Sequence, residues 1–205
     1  NIKPKSIILE PEGRNTAPAI AIGALISRNY LKESILFVLA ADHAIKDVNK
    51  YIKVVKEGYK TSLKERLVTF GVNPSSPETG YGYIEAAEKL SDEIKASSII
   101  RFIEKPNIQL AKNLILDKRF SWNSGMFMFK VSKIIDEFNN YAPEIIDISS
   151  KSLNSAVSDL DFLRLNEYFF LKCPEISIDN AIMEKTSIGS VLPLNVGWSD
   201  IGSWQ

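Results

Sequence analysis

The sequence has very little cysteine and histidine. It contains one of each, Cys173 and His43. A single cysteine permits no internal disulfide, which fits a reducing, cytoplasmic compartment, and we expect Cys173 to be a small buried apolar residue. Because no serine or cysteine elbow accompanies the one histidine, a hydrolytic triad is disfavoured and His43 is expected to cap or pack.

The sequence also lacks an excess of charge and any long apolar run. Lys+Arg and Asp+Glu number 25 each, so the net charge is zero and nothing favours nucleic acid or a membrane surface as a partner. No apolar stretch approaches the ~18–20 residues of a transmembrane helix. Residues 1–4 do not resemble a signal peptide, and the first residue is not Met, which favours a piece of a longer protein.

What remains is an ordinary composition with alternating helix and strand patterns. The 205 residues are 45% hydrophobic, enough for one sizeable core. The apolar run at 35–40 ends at Asp42 and predicts a strand buried on both faces. Strands at 6–10 and 67–72, with helices at 17–30 and 47–64, complete a β-α-β-α-β order. This order is typical of parallel strands in an α/β fold.

The rest of the chain gives weaker signals. Helices are expected at 107–117, 132–140 and from 177, with an irregular helical region at 142–168. Strands are expected at 98–103, 126–131 and 190–194. Residues 121–125 are expected to be a turn, and Asp200 is expected to lie in a Gly/Trp-rich turn between Gly197 and Gly202.

Two carboxylates are candidates for one metal site. Asp42 follows the apolar strand, and Asp200 is flanked by glycines and tryptophans. Ligands of open α/β sheets bind beyond the carboxyl ends of strands, and Mg²⁺ often takes one or two carboxylates together with substrate phosphates. The alternative, that Asp42 caps a helix and Asp200 only makes a turn, is equally consistent with the sequence.

Other residues are candidates for binding a sugar phosphate. Lys105 follows a strand and precedes a proline, where it can serve as a fixed cation for phosphate, and Glu104 beside it can accept hydrogen bonds from hydroxyl groups. Taken alone, a solvated Glu-Lys pair is the favoured interpretation. A second group of candidates comprises Gly80, Tyr81, Gly82, Asn123 and Gly125. Its glycines would allow a ligand to approach the backbone closely.

Taken together, these segments resemble the bacterial mannose-1-phosphate guanylyltransferases. The resemblance is strongest to the bifunctional type with a C-terminal mannose-6-phosphate isomerase, and it extends over nearly the whole chain in family order. The matching segments are ILEPEGRNTAPA at 8–19, ADH at 41–43, VTFG at 68–71, PETGYGYI at 77–84, FIEKP at 102–106, WNSGMF at 122–127, SID at 177–179 and GWSDIGSW at 197–204.

The resemblance implies a Rossmann-like nucleotidyltransferase fold, with a mixed, mostly parallel sheet flanked by helices. The reaction would join GTP and α-D-mannose 1-phosphate to give GDP-mannose and diphosphate, as a step toward polysaccharide. Asp42 and Asp200 would hold Mg²⁺, with Mn²⁺ also suitable, and Lys105 would bind the sugar phosphate. Glu104, Gly82 and Asn123 would face the mannose hydroxyls. The turn of Gly13, Arg14, Asn15 and Thr16 would lie by the guanine.

The sequence departs from the family pattern in two respects. The N-terminal Gly-rich loop of the type GGxGxRLWP and the isomerase module are both absent from residues 1–205. We therefore expect one nucleotidyltransferase domain over 1–205 that is the sugar-side part of a larger enzyme and is inactive alone. A fragment that only binds GDP-mannose and a transferase for another sugar 1-phosphate stay open, as does a homodimer.

Overall fold

The computed structural model describes residues 3–30 and 33–201, which form two compact units. The first unit comprises residues 3–30 and 134–185, and the second comprises residues 33–133 and 186–201. In chain order the elements are β1 (Ile7–Leu9), α1 (Thr16–Tyr30), β2 (Ile35–Val38), β3 (His43–Ile45), α2 (Val48–Leu63), β4 (Leu67–Val72), β5 (Tyr83–Ala86), β6 (Ser97–Ile103), α3 (Ile108–Leu114), β7 (Phe120–Lys130), α4 (Val131–Tyr141), α5 (Pro143–Asn154), β8 (Val157–Asp159), β9 (Phe162–Arg164), α6 (Glu167–Phe170), a π-helical segment (Asp179–Met183), β10 (Gly189–Pro193) and β11 (Trp198–Asp200).

The main sheet of the second unit has the strand order β2-β7-β4-β10-β6-β5, and β5 also pairs with β7. β2 and β4 are both antiparallel to β7, and β10 is parallel to β4. The α/β class and the mixed sheet are therefore confirmed, but a mostly parallel sheet is wrong. β2, β4 and β10 do run in one direction, yet β7 lies between the first two and makes the pairings antiparallel.

β2 differs in burial from the prediction. Its four residues are half-buried and it lies at the end of the sheet, whereas all six residues of β4 are buried. Ile35 and Phe37 of β2 pack against the core of this unit from the end of the sheet rather than from its centre. The central position belongs to β4, where Val68, Phe70 and Val72 join the core of this unit.

Residues 121–125 form strand rather than the predicted turn. They belong to β7, which pairs with β4 and β5 over this stretch. Gly125 has φ +71°, and the β4–β7 register shifts between Thr69 and Gly71. The Ser/Asn/Gly composition thus marks a local irregularity within a strand, because long-range pairing overrides the turn preference.

A second predicted turn also contains a strand. Trp198–Asp200 is β11 and pairs antiparallel with β3. Gly197, with φ +65°, precedes it, and an added Cβ there would lie 2.9 Å from Lys46 Cβ. The turn predicted around Asp200 is therefore wrong for residues 198–200, and residues 202–205 lie outside the described residues.

In the first unit, β1 pairs with β9 and β9 with β8. Helix α1 packs against α5, and its Ile22 meets Leu165 and Phe170 in a small core. The predicted irregular helical region consists of α5, the β8–β9 hairpin and α6. The hairpin was missed because its strands are only three residues each.

The predicted helices at 17–30, 47–64, 107–117 and 132–140 are confirmed as α1 to α4. Asp47 and Asn107 cap α2 and α3, because their side chains accept hydrogen bonds from the N–H groups of Lys50 and Leu110. Cys173 is buried as predicted, and burial raises the pKa of its thiol to about 11. Within the described residues, no helix is both long and apolar enough to cross a membrane.

A buried carboxylate joins three strands of the main sheet. Glu85 in β5 is 7% exposed. The Nε of Arg101 in β6 donates to Glu85 Oε2 at 2.6 Å, and Arg119, just before β7, places Nη1 2.8 Å from Glu85 Oε1. The two guanidinium groups neutralise Glu85 and tie β5 to β6 and to the start of β7.

Glu85→Gln is expected to lower the free energy of unfolding by about 1–3 kcal/mol, because both arginines lose a charged acceptor at a buried position. Urea denaturation measures this. Glu88→Gln is the matched control, since the Glu88–Lys95 pair is exposed and should contribute less than about 1 kcal/mol. Equal destabilisation by both substitutions would contradict the role given to Glu85.

Candidate active site

The two carboxylates predicted to share a metal lie together in the second unit. Ligand atoms of Asp42, His43 and Asp200 are all within 4.8 Å of one another. The β3–β11 pairing causes this, because Asp200 is directly opposite His43 in the register. The Ile201 N–H donates to the carbonyl of Asp42 at 3.0 Å and ties the turn before β3 to the end of β11.

The structure excludes the simpler roles for these carboxylates. Helix α2 is capped by Asp47, not by Asp42, which instead precedes β3. Asp200 is the last residue of β11 rather than part of an isolated turn. Both aspartates are exposed, so neither is needed to stabilise the core.

The donor set fits a divalent cation. Carboxylate oxygens are ligands for Mg²⁺, Ca²⁺ and Mn²⁺, and imidazole nitrogen is a ligand for transition metals. His43 Nδ1 is buried and has no hydrogen-bond partner, although a buried nitrogen is normally paired. Asp42, His43 and Asp200, all among the described residues, therefore form a group that can hold a metal ion.

Three residues predicted to face a sugar also meet in this unit. The Asn123 N–H donates to the Gly82 carbonyl at 2.8 Å. A Cβ added at Gly82 would lie 2.7 Å from Glu104 Oε2 and 3.6 Å from Asn123 Cβ. A side chain at position 82 would therefore displace the Glu104 carboxylate from this position. Together they form the sugar-side cluster of Gly82, Glu104 and Asn123.

The side chain of Asn123 is held in place by its neighbours. Its Oδ1 lies 3.1 Å from the hydroxyl of Thr69 and accepts the Gly125 N–H at 3.2 Å. The role of Thr69 was missed in the sequence. A fully buried hydroxyl within the otherwise apolar strand β4 was the available signal, since a buried polar group normally has a specific partner.

Lys105 adjoins the sugar-side cluster and has an unusual backbone. Its φ is +43°, in the left-handed region, although it precedes Pro106 and carries a side chain. Such a conformation costs about 1–3 kcal/mol and is frequent at functional sites. Its Nζ lies 3.7 Å from Glu104 Oε1, and its side chain is 66% exposed, which leaves it open to a ligand.

An aromatic cluster connects the carboxylates with the sugar-side residues. The ring of Tyr81 packs edge-on against two tryptophans, with its centroid 5.2 Å from that of Trp122 and 5.7 Å from that of Trp198. The ring of Trp198 also packs edge-on against His43, with their centroids 5.2 Å apart. Burial first, and then the negative charges of Asp200 and Glu78, raise the pKa of Tyr81, so its hydroxyl stays protonated at neutral pH. Neither tryptophan was among the residues predicted for the site, although Trp122 precedes Asn123 and Trp198 lies two positions before Asp200.

The other predicted glycines are less constrained. A Cβ at Gly80 would meet nothing within 4 Å, so the protein itself does not require glycine there. Gly125 has open space around its Cα but a φ of +71°, which disfavours any other residue.

The predicted guanine turn lies in the first unit. The Thr16 hydroxyl accepts the Ile178 N–H at 2.9 Å, and the Ala17 N–H donates to the Ile176 carbonyl at 3.1 Å. Asn15 has φ +63°, and Arg14 pairs with Glu12 at 3.1 Å. Arg14 Nε is buried without a partner. The turn Gly13–Thr16 is therefore fixed to the segment before the π-helix.

Comparisons with known proteins agree with these motifs. The profile of the nucleotidyl transferase family matches residues 3–205. Mannose-1-phosphate guanylyltransferase of Salmonella montevideo is 46% identical over 97% of this chain and 42% of its own length. The enzyme of the same name from Escherichia coli K12 is 43% identical over 98% of this chain and 43% of its own length.

A solved structure has a similar fold. The crystal structure of mannose-6-phosphate isomerase from Helicobacter pylori matches with a TM-score of 0.85 and 35% identity, over 94% of this chain and 74% of that one. The chain spans less than half the length of the curated relatives it matches.

Gly82→Ala is expected to lower the free energy of unfolding by about 1 kcal/mol, because its Cβ would lie 3.1 Å from the buried ring of Phe102 and would displace the Glu104 carboxylate. Gly80→Ala is the control, and its free energy of unfolding should change by less than about 0.5 kcal/mol because its surroundings are open. Urea denaturation of the two variants side by side measures the difference. A Gly82→Ala variant as stable as Gly80→Ala would contradict the close packing of Gly82 against Phe102.

Proposed function

The chain belongs to the nucleotidyl transferase family, and we propose that the protein transfers GMP from GTP to α-D-mannose 1-phosphate, forming GDP-mannose and diphosphate. The observation that carries this proposal is that Asp42 and Asp200 lie together and are connected to the sugar-side cluster by aromatic contacts. The ring of Tyr81 contacts both Trp198, near Asp200, and Trp122, next to Asn123. The names and identities of the relatives favour mannose and guanine over another sugar and base.

The reaction is a substitution at phosphorus. An oxygen of the sugar phosphate forms a bond to the α-phosphorus of GTP, and the bond from that phosphorus to the bridging oxygen of the β-phosphate breaks. Diphosphate leaves with that oxygen and its electron pair. Such a reaction depends on alignment and charge neutralisation, with no covalent intermediate on the protein.

Asp42 and Asp200 would hold the divalent cation, which we propose to be Mg²⁺ with Mn²⁺ as a functional substitute. When bound, this ion neutralises charge on the reacting phosphates. The two aspartates are exposed and lie at the end of β11 and just before β3. Their carboxylates can therefore bind the ion while leaving room for substrate oxygens.

The sugar phosphate would be bound by neighbouring groups of the same unit. Lys105 would donate to its phosphate, since an exposed ammonium group beside Glu104 can reach a ligand. Glu104 would accept hydrogen bonds from mannose hydroxyls. Asn123 would both donate hydrogen bonds to these hydroxyls and accept hydrogen bonds from them. Gly80, Gly82 and Gly125 would let the ligand approach the backbone, and the Tyr81 hydroxyl would donate in this region.

The turn Gly13–Thr16 would contact the guanine, with Arg14 as its available cation. In this proposal, residues 1–205 act as one nucleotidyltransferase domain within a larger enzyme. The triphosphate of GTP would then require groups that these residues do not supply. We further propose a cytoplasmic enzyme with GTP, mannose 1-phosphate and GDP-mannose as its small-molecule partners.

Asp42→Asn and Asp200→Asn are expected to lower kcat/KM for GDP-mannose formation by at least about a hundredfold, because a metal contributes several kcal/mol of charge stabilisation. Diphosphate release by the full-length protein, measured with Mg²⁺ and both substrates, tests this. Asp47→Asn is the control, since asparagine caps a helix as well as aspartate. Full activity in Asp200→Asn would overturn the metal assignment.

Lys105→Gln is expected to raise the KM for mannose 1-phosphate about tenfold or more and to leave the KM for GTP nearly unchanged, because one charged hydrogen bond to the sugar phosphate is lost. Steady-state kinetics with each substrate varied in turn measures both constants. Lys112→Gln on α3 is the matched control for loss of one exposed charge. An equal rise in both constants, or no rise, would contradict this role.

A further inference from the structure

His43 is a residue of the candidate metal site to which the proposed reaction gives no task. It is the one histidine of the sequence. A ring nitrogen of His43 and one carboxylate oxygen each of Asp42 and Asp200 can serve as ligand atoms, and these three atoms lie within 4.8 Å of one another. Its Nδ1 is buried and has no hydrogen-bond partner in the protein.

The backbone pairing places the imidazole on the same side as Asp200. His43 and Asp200 are opposite each other in the antiparallel β3–β11 pair, so their side chains project from the same face. Asp42 is held beside them by the hydrogen bond from Ile201. The backbone thus presents two oxygens and one nitrogen toward a common position.

The ring of His43 is also restrained. It meets the ring of Trp198 edge-on, with centroids 5.2 Å apart and an interplanar angle of 76°. Trp198 in turn contacts Tyr81 at 5.7 Å. This packing limits rotation of the imidazole, and a ligand that is already oriented loses less entropy when it binds an ion.

We infer that His43 is a third ligand, and a nitrogen ligand, of the cation bound by Asp42 and Asp200. This inference rests on the proposed function, which assigns the cation to the two carboxylates. Ligands of a six-coordinate ion at about 2.1 Å lie about 3.0 Å apart when adjacent and about 4.2 Å when opposite, so small side-chain rotations close the site.

A nitrogen ligand has consequences for metal choice. Oxygen ligands suit Mg²⁺, whereas imidazole raises the affinity for transition metals such as Co²⁺ and, to a smaller degree, Mn²⁺. The site is therefore expected to bind Mn²⁺ and Co²⁺ more tightly than Mg²⁺, and His43 is expected to supply much of that preference. A residue that only packs against Trp198 would have no such effect.

Pulsed electron paramagnetic resonance of Mn²⁺ bound to the full-length protein tests the inference without relying on activity. The wild-type spectrum should contain a ¹⁴N coupling from a directly bound imidazole. His43→Phe, which keeps a ring against Trp198, and His43→Gln should both remove it and raise the Mn²⁺ dissociation constant at least about tenfold. Trp198→Phe is the control and should retain the coupling, because it leaves the imidazole in place.

The outcomes separate this inference from the proposed function. If Asp200→Asn abolishes Mn²⁺ binding but the wild-type protein shows no ¹⁴N coupling, the two-carboxylate site stands and His43 is not a ligand. A coupling that persists in both His43 variants would likewise overturn the inference. If the wild-type protein binds no Mn²⁺, both the inference and the metal assignment are wrong.

Discussion

The second unit depends on the pairing of β7 with three neighbouring strands. Over its 11 residues β7 pairs with β2, β4 and β5. The approach of β4 to this strand requires glycine at position 71, because an added Cβ would overlap the Ser121 side chain and lie 2.8 Å from Val191 Cγ2. Next to the register shift, Asn123 is the partner of Gly71, and the hydroxyl of Thr69 and the N–H of Gly125 hold its side chain.

The candidate site depends on a second, shorter pairing. Three residues of β11 and three of β3 bring Asp200 beside His43 and Asp42, which are otherwise more than 150 positions apart in the sequence. Tyr81 then connects this pair to the sugar-side cluster through Trp198 and Trp122. Two constrained positions lie beside this site: Lys105, whose φ is positive, and Gly82, where a Cβ would displace the Glu104 carboxylate. Backbone strain of the kind seen at Lys105 is frequent at functional sites.

Much of this architecture could be predicted from local sequence patterns. The helices were predictable because periodic apolar residues and caps such as Asp47 act within one or two turns. The strands at 121–125 and 198–200 were not, because Ser, Asn, Gly and Trp favour turns locally and only pairing with distant strands makes them extended. The direction of β7 between β2 and β4 is likewise a long-range property, so a mostly parallel sheet was the wrong prediction.

The residues of the candidate site could likewise be predicted only in part from the sequence. Short motifs identified Asp42, Asp200, Glu104 and Asn123, since those residue types suit metal and sugar ligands, and the structure brings them together in pairs. Thr69 and the tryptophans act through contacts across the sheet, which no local pattern encodes. His43 was expected to cap or pack because no serine or cysteine elbow accompanies it, although its opposite neighbour in the fold is Asp200.

The most direct test of this account is a ³¹P NMR measurement of the full-length protein with GTP, mannose 1-phosphate and Mg²⁺. The account predicts that signals of GDP-mannose and diphosphate grow in equal amounts, that chelation of the metal stops both, and that glucose 1-phosphate or UTP substitutes poorly. Formation of a different sugar nucleotide in preference, or no turnover although GDP-mannose binds, would contradict it.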